Sequence, residues 1–167
     1  MKLAYVSSQK QGETDRLLTE LADDLQAGGL ELRGIVKEQG YSAVYENGCD
    51  MYVRVLPDGP SIKITQDLGE GSNACRLDPA SIVEAVARVE NSSFDDIDLF
   101  ILNKFGPEEI AGRGFCTVLA KAVEHDVPVL VGAGVAGREA FQKFAGGMAE
   151  SLPDDATVLR NWCQKPR

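Results

Sequence analysis

The sequence predicts an α/β fold, a three-layer sandwich in which helices cover both faces of a mainly parallel sheet. Three observations lead to this prediction. Strand-like and helix-like apolar patterns alternate along the chain, and residues 97–102 are almost entirely apolar, which is typical of a central parallel strand. Two short β-type runs, 51–56 and 61–66, flank a Pro-Asp-Gly-Pro turn and predict a hairpin at the sheet edge.

The N-terminal half begins with an apolar strand at residues 3–6, followed by a loop and a helix. The apolar residues of this helix recur at helical spacing, and they are Leu17, Leu18, Leu21, Ala22 and Leu25. Gly28 and Gly29 then end the helix, and residues 30–36 form a second predicted strand. Residues 37–48 are polar and turn-rich, which indicates a surface loop. The hairpin is therefore an insertion at about 49–67.

The C-terminal half continues the alternation. Asp78 and Pro79 suit the start of a helix. Its predicted buried stripe is Ile82, Val83, Val86 and Val89. A helix at 115–124 and a strand at 127–131 follow, and then a glycine-rich loop at 132–137. The remaining apolar residues predict a helix through Ala140, Phe141 and Phe144, and a last helix from near Asp154 that packs Val158, Leu159 and Trp162.

Length and charge limit the function classes. The 167 residues fit a single domain. A net charge of −9 disfavours a nucleic-acid partner or an anionic membrane surface. No apolar run approaches the about eighteen residues of a membrane span, so we expect a soluble, cytoplasmic protein. The four cysteines lie far apart without a Cys-x-x-Cys pair, which predicts free thiols.

The loop after the first strand has the layout of a phosphate-binding P-loop, Gly-x-x-x-x-Gly-Lys-Ser/Thr. Ser7 stands in place of the first glycine, Gly12 and Thr14 match, and Glu13 replaces the lysine. Lys10 could supply the missing positive charge. The candidate anion-binding residues here are Ser8, Gln9, Lys10, Gln11, Gly12, Glu13 and Thr14. The alternative is a plain strand-turn-helix connection in which polar side chains cap the helix.

Two further loops, 103–114 and 132–137, should meet the first loop, because the carboxyl ends of parallel strands face one crevice. Asn103, Lys104 and Glu109 are candidates to position a ligand, a water or a metal ion. Arg113 lies between two glycines, which allow close approach of the backbone, so its guanidinium could reach an anion. The alternative is an ion pair between Arg113 and Glu108 or Glu109.

Cys75 and Arg76 precede the helix that Asp78 begins. They could form an anion pocket or a reactive thiol, since a helix start lowers the pKa of a thiol. The alternative is a buried cysteine, a solvated arginine and an aspartate that only caps the helix.

Two nucleotide-binding motifs are matched only in part. The Asn103-Lys104 pair resembles the start of the guanine-reading Asn-Lys-x-Asp motif, but Gly106 stands where the carboxylate belongs. The glycine run at 132–137 satisfies the letters of the dinucleotide fingerprint, yet no second strand ending in an acid follows it. Neither guanine specificity nor a nicotinamide or flavin role is predicted.

The chain resembles the bacterial family catalogued as domain of unknown function 2478. Four runs carry the resemblance, which extends over nearly the whole chain: residues 75–79 (Cys-Arg-Leu-Asp-Pro), 102–109 (Leu-Asn-Lys-Phe-Gly-Pro-Glu-Glu), 112–114 (Gly-Arg-Gly) and 144–147 (Phe-Ala-Gly-Gly). Members often occur beside molybdate-uptake genes, so the resemblance implies a nucleotide- or molybdate-related role.

More distantly, the order of loop, hairpin and strand is similar to the small P-loop proteins called cancer-related nucleoside triphosphatases, which implies P-loop NTPase-like topology. In those proteins an Asp-Glu pair ends the strand and places magnesium and the attacking water. In this chain Leu102 and Asn103 stand at the positions of the Asp-Glu pair, and Glu13 stands at the position of the P-loop lysine. Glu109 aligns with a more distal acid. Glu109 and Thr14 are therefore the candidates for catalysis and for magnesium.

The leading hypothesis is a degenerate P-loop protein that binds a nucleotide (ATP or GTP) or a tetrahedral oxyanion as a sensor or accessory factor. Loss of the lysine and of the acid pair favours binding over catalysis. Two alternatives stay open. One is a slow magnesium-dependent nucleoside triphosphatase that uses Thr14 and Glu109. The other is an interaction module whose hairpin edge, 51–66, pairs with a partner or with a second copy of the chain.

Overall fold

The computed structural model describes residues 1–40, 50–66 and 76–165. Within these ranges the strands are β1 (Leu3–Val6), β2 (Leu32–Lys37), β3 (Tyr52–Leu56), β4 (Ser61–Lys63), β5 (Leu99–Phe105), β6 (Val129–Ala133) and β7 (Glu150–Leu152). The helices are α1 (Glu13–Ala27), α2 (Pro79–Glu90), α3 (Pro107–Ile110), α4 (Cys116–Glu124), α5 (Val135–Phe144) and α6 (Ala156–Gln164).

The strands form one sheet in the order β4-β3-β2-β5-β6-β1-β7. β2, β5, β6, β1 and β7 are parallel to one another, whereas β3 pairs antiparallel with both β2 and β4 and forms the hairpin with β4. The hairpin therefore extends one edge of an otherwise parallel sheet, as its turn residues predict. The α/β class, the mainly parallel sheet and the hairpin insertion are confirmed.

Each face of the sheet carries its own hydrophobic core. α1 and α6 pack on one face, where Leu18 and Leu159 are fully buried. α2, α4 and α5 cover the other face, where Phe100, Leu119 and Phe141 are fully buried. Burial on both sides explains why β5 is apolar through its first four residues.

The helix ends agree with the signals in the sequence. The Asp78 carboxylate accepts the Ala80 N–H at the start of α2, and Pro79 occupies the first turn. Gly28 caps the end of α1, and Gly29 has a φ of +88°, a backbone conformation that favours glycine. Asp155 caps α6, one residue from the predicted start.

Three details differ from the expectations. β7 is absent from the prediction, because a three-residue strand carries too little pattern to be recognised. α5 begins at Val135, so residues 135–137 are helical and do not belong to a loop. Val83 is 67% exposed and Val158 is 38% exposed, so neither is part of a buried stripe. Ala85 and Val89 are the buried residues of α2.

Among the described residues, no helix combines the length and the apolar character that crossing a bilayer requires. Cys75 lies outside the described residues, and so do residues 41–48 of the predicted surface loop at 37–48. Pairing of the hairpin edge with a partner or a second copy stays a prediction.

Candidate functional site

A cleft of about 510 Å³ lies where β1, β5 and β6 end. The cleft is lined by residues of the first loop (residues 7–14), of the segment 102–109 and of the segment 132–134. The three segments expected to meet at the carboxyl ends of the strands therefore do meet. The volume is within the range of about 300–1,000 Å³ that is typical of ligand pockets.

The cleft brings together most of the predicted site residues. Those that line it are Ser8, Gln9, Lys10, Gln11, Gly12, Thr14, Asn103, Lys104 and Glu109. Glu13, Arg113 and Arg76 are not among the lining residues, and Cys75 lies outside the described residues. Arg76 is exposed, and its carbonyl accepts the Gln66 N–H beside the hairpin.

The first loop is held by its own hydroxyl groups. Ser8 N–H donates to Thr14 Oγ1 at 2.9 Å, and Lys10 N–H donates to Ser8 Oγ at 3.1 Å. Gly12 has a φ of +75°, so a side chain at this position would be strained. The N–H groups of Gln11 and Gly12 have no acceptor among the described residues. This arrangement provides donors at the start of α1, where helix dipoles favour negative charge.

Glu13 occupies the position of the missing lysine, and its carboxylate is held by Arg16. Arg16 Nη2 lies 2.7 Å from Glu13 Oε1, and Arg16 Nη1 lies 2.5 Å from Glu20 Oε2. The hydrogen bond from Arg16 lowers the pKa of Glu13. The acid is therefore ionised and paired along the surface of the helix.

A polar network joins α1 to the ends of two strands. Asn103 Nδ2 donates to Asp15 Oδ1 at 3.2 Å, and Lys37 N–H donates to Asn103 Oδ1 at 3.2 Å. Lys37 Nζ lies 3.3 Å from Asp15 Oδ2. Asn103 is only 5% exposed, so its bonds meet the requirement of a buried polar group. Asn103 thus fixes the first turn of α1 against β2 and β5.

The roles of Asp15 and Lys37 were missed in the sequence. Neither belongs to a recognised motif, and they join Asn103 across 88 and 66 positions of the chain. A polar residue near the end of an apolar strand was the one available signal, and it pointed to Asn103 alone.

Glu109 is a buried acid, 8% exposed, whose two oxygens accept backbone donors. Gly106 N–H donates to Oε2 and Phe115 N–H donates to Oε1, both at 3.0 Å. Burial raises the pKa of Glu109 above its ordinary value, while the two N–H groups act in the opposite direction. A Cβ at Gly114 would lie 2.2 Å from Glu109 Oε1, so the glycine makes room for this carboxylate.

Arg113 forms an ion pair with Glu108, which is one of the alternatives left open by the sequence. Arg113 Nε lies 2.9 Å from Glu108 Oε2, and the arginine side chain is 64% exposed. The hydrogen bond with Arg113 lowers the pKa of Glu108. Because Glu108 lines the cleft, Arg113 lies near its rim, but its guanidinium is already engaged. Its role as an anion ligand stays a prediction.

The carboxylates that line the cleft all have partners in the described part of the chain. Asp15 pairs with Lys37, Glu108 pairs with Arg113, and Glu109 accepts backbone donors. Within residues 1–40, 50–66 and 76–165, neither Lys10 nor Lys104 has an ion-pair partner, and both side chains line the cleft. Lys10 and Lys104 therefore place positive charge at the cleft, and Lys10 also interacts electrostatically with the carboxylates of Glu13 and Asp154.

Thr14 and Glu109, the candidate magnesium ligands, already have hydrogen-bond partners within the protein. Magnesium is usually held by one or two carboxylates together with substrate phosphates. Thr14 Oγ1 already accepts the Ser8 N–H, and both Glu109 oxygens accept backbone N–H groups. No group of three His, Cys, Asp or Glu side chains that could hold a metal occurs in the described part of the chain. The contacts favour a structural role for Glu109.

Comparison with known proteins agrees with the fold. Residues 3–162 of the chain match the family model described as "Protein of unknown function (DUF2478)". It is similar to a human cancer-related nucleoside triphosphatase solved in solution, with a TM-score of 0.61 and 13% identity over 92% of this chain and 88% of that chain. That likeness shows that the two chains share a fold, in agreement with the predicted P-loop NTPase-like topology.

A curated relative is the "Molybdenum import ATP-binding protein ModC 2" of Bradyrhizobium diazoefficiens, which is 33% identical over 163 residues. The match covers 96% of this chain and 18% of the length of that relative. The family model and this relative together cover nearly all of the sequence, as the resemblance in the four short runs implies. The chain therefore belongs to the DUF2478 family and shares the fold of that nucleoside triphosphatase.

Proposed function

We propose that this protein binds a nucleotide or a tetrahedral oxyanion at the first loop and acts as a sensor or accessory factor. The observation that carries the proposal is the charge balance of the cleft. Its carboxylates are paired or bonded to backbone, whereas Lys10 and Lys104 line it without an ion-pair partner among the described residues. The backbone N–H groups of Gln11, Gly12 and Thr14 would contact the anion, with Lys10 beside them, whereas the Glu13 N–H donates to the Lys10 carbonyl.

Efficient hydrolysis is not part of the proposal. Phosphoryl transfer depends on a lysine and magnesium to neutralise the transferred group. Glu13 stands in the place of that lysine, and Asn103 at the end of β5 is bonded to Asp15 and Lys37. The loss of the lysine and of the acid pair favours anion binding over hydrolysis.

The relatives support the nucleotide- and molybdate-related parts of the proposal. The 33% identical relative is named for both ATP binding and molybdenum import. This chain spans 18% of that protein, so its activity comes to this chain only as a proposal. A sensor or accessory factor for molybdate uptake is consistent with that similarity.

We expect calorimetry to detect binding of at least one of ATP, GTP, phosphate and molybdate. Lys10→Ala should weaken that binding by about tenfold, because a hydrogen bond to a charged group contributes about 1.5–3 kcal/mol. Lys143→Ala, which removes an exposed lysine of α5 outside the cleft, is the matched control. Arg113→Ala should have a smaller effect than Lys10→Ala, since Glu108 already holds the guanidinium. Absence of binding, or equal affinities for the two lysine variants, would contradict the proposal.

Phosphate release separates binding from slow catalysis. The proposal predicts no magnesium-dependent release of phosphate from ATP or GTP above the rate without protein. Release that depends on magnesium and disappears in Thr14→Ala would instead support the slow nucleoside triphosphatase.

A further inference from the structure

A fourth segment of the chain reaches the first loop, and it follows β7. This strand pairs with β1 on the side opposite to β6, with Val6 beside Leu152 in the register. Ser8 and Asp154 each come two residues after this paired position, so the parallel strands place them next to each other. The Ser8 hydroxyl donates a hydrogen bond to the Asp154 carboxylate. Asp154 is therefore attached to the first loop, although it does not line the cleft.

The contact between Ser8 and Asp154 continues to Lys10. Ser8 Oγ accepts the Lys10 N–H at 3.1 Å, and the Asp154 carboxylate interacts electrostatically with Lys10. The hydrogen bond from Ser8 lowers the pKa of Asp154, so this carboxylate carries its negative charge at neutral pH. Part of the positive charge that Lys10 brings to the first loop is therefore already offset from behind.

Glu13 places a second negative charge beside Lys10. Its carboxylate interacts electrostatically with both Lys10 and Asp154, and the hydrogen bond from Arg16 keeps it ionised. We call Glu13 and Asp154 the outer carboxylates, because neither of them lines the cleft. Both repel an anion that binds at the first loop, and this repulsion grows with the charge of the anion.

We propose that Asp154, together with Glu13, determines the specificity of the anion site and restricts it to a single tetrahedral group of low charge, such as phosphate or molybdate. This inference rests on the proposed function and narrows it, because it disfavours chains of phosphate groups. Such a chain brings more negative charge past the same outer carboxylates. The added repulsion offsets the attraction to Lys10, so additional phosphate groups do not tighten binding.

The first test compares anions of increasing charge. Calorimetry at one low salt concentration would measure phosphate and molybdate against pyrophosphate, tripolyphosphate and ATP. We expect phosphate or molybdate to bind at least as tightly as each of the three polyphosphates. If any polyphosphate binds more tightly than both single groups, the inference is wrong while the proposed anion site stands. If none of the five compounds binds, the proposed function fails as well.

Neighbouring aspartates give a matched pair of variants. Asp154→Asn removes the charge and keeps an oxygen that can accept the Ser8 hydroxyl. Asp155→Asn makes the same change of charge at the residue that caps α6, where the carboxylate accepts the Val158 N–H at 2.9 Å and asparagine caps about as well. Asp154→Asn should raise the affinity for tripolyphosphate, relative to phosphate, about fivefold, and Asp155→Asn less than about twofold.

Salt separates an effect of charge from a change in the structure of the loop. The gain in Asp154→Asn should shrink at about 1 M salt, where the screening length is about 3 Å. Circular dichroism checks that both variants fold. A ratio of affinities that is unchanged in Asp154→Asn, that is equal in the two variants, or that stays raised at high salt would overturn the inference.

Discussion

Glu109→Ala should lower the free energy of unfolding by about 2–4 kcal/mol, because it leaves two buried backbone donors without an acceptor. Gly106 N–H and Phe115 N–H both donate to this carboxylate at 3.0 Å, and both bonds are buried. The substitution also removes the cost of burying an acid whose pKa is raised, and this offsets part of the lost stability. Urea denaturation measures the change. Glu108→Ala is the control, since its partner Arg113 is mostly exposed and the loss should be small.

The pH dependence gives an independent test of the same contact. Burial raises the folded-state pKa of Glu109 above its ordinary value of 4.5. Between the unfolded and folded values the native state binds more protons, so the contribution of Glu109 to stability falls as pH rises through that window. Glu109→Gln should remove this part of the pH slope. An unchanged slope, or a Glu109→Ala variant as stable as the parent, would contradict the structural role.

Glu13→Lys should strengthen ATP binding by tenfold or more, because it places a cation where the P-loop template has one. The change also releases Arg16 from one of its two carboxylate partners. Glu20→Lys makes the same change of charge at the other partner of Arg16, further along α1 and away from the cleft lining. Calorimetry at one fixed salt concentration measures both variants.

The Glu20→Lys control separates a local contact from a general change in charge. If Glu13→Lys and Glu20→Lys strengthen ATP binding equally, the gain comes from net charge and not from the first loop. If neither variant changes the affinity, position 13 does not face the bound anion.

Much of the fold follows from local patterns in the sequence. The Pro-Asp-Gly-Pro turn predicts the hairpin, and Asp78 with Pro79 predicts the start of α2, because both signals act within a few residues. The helical spacing of apolar residues places α2 but does not fix its buried face. Val83 satisfies the pattern and is nevertheless exposed, since the position of the neighbouring elements decides which side is covered.

The site was harder to predict than the fold. The three loops were expected to share one crevice, and they do, because parallel strands end at the same edge. The contacts of Glu109 could not be foreseen, since they depend on the path of the chain around Gly106 and Phe115. The glycines beside Arg113 suggested freedom for the arginine, whereas Gly114 makes room for the Glu109 carboxylate. The contacts of Asn103 with Asp15 and Lys37 leave no local pattern, because they join residues 88 and 66 positions apart.

The most direct test of the central claim is a titration of the backbone amide signals by nuclear magnetic resonance. Phosphate and ATP would be added to the uniformly labelled protein. We expect saturable shifts of the amide signals of Gln11, Gly12 and Thr14, with one dissociation constant shared among them and the same weakening in Lys10→Ala. Amide signals of the first loop that stay unchanged at saturating ligand, or shifts confined to other parts of the chain, would contradict an anion site at this loop.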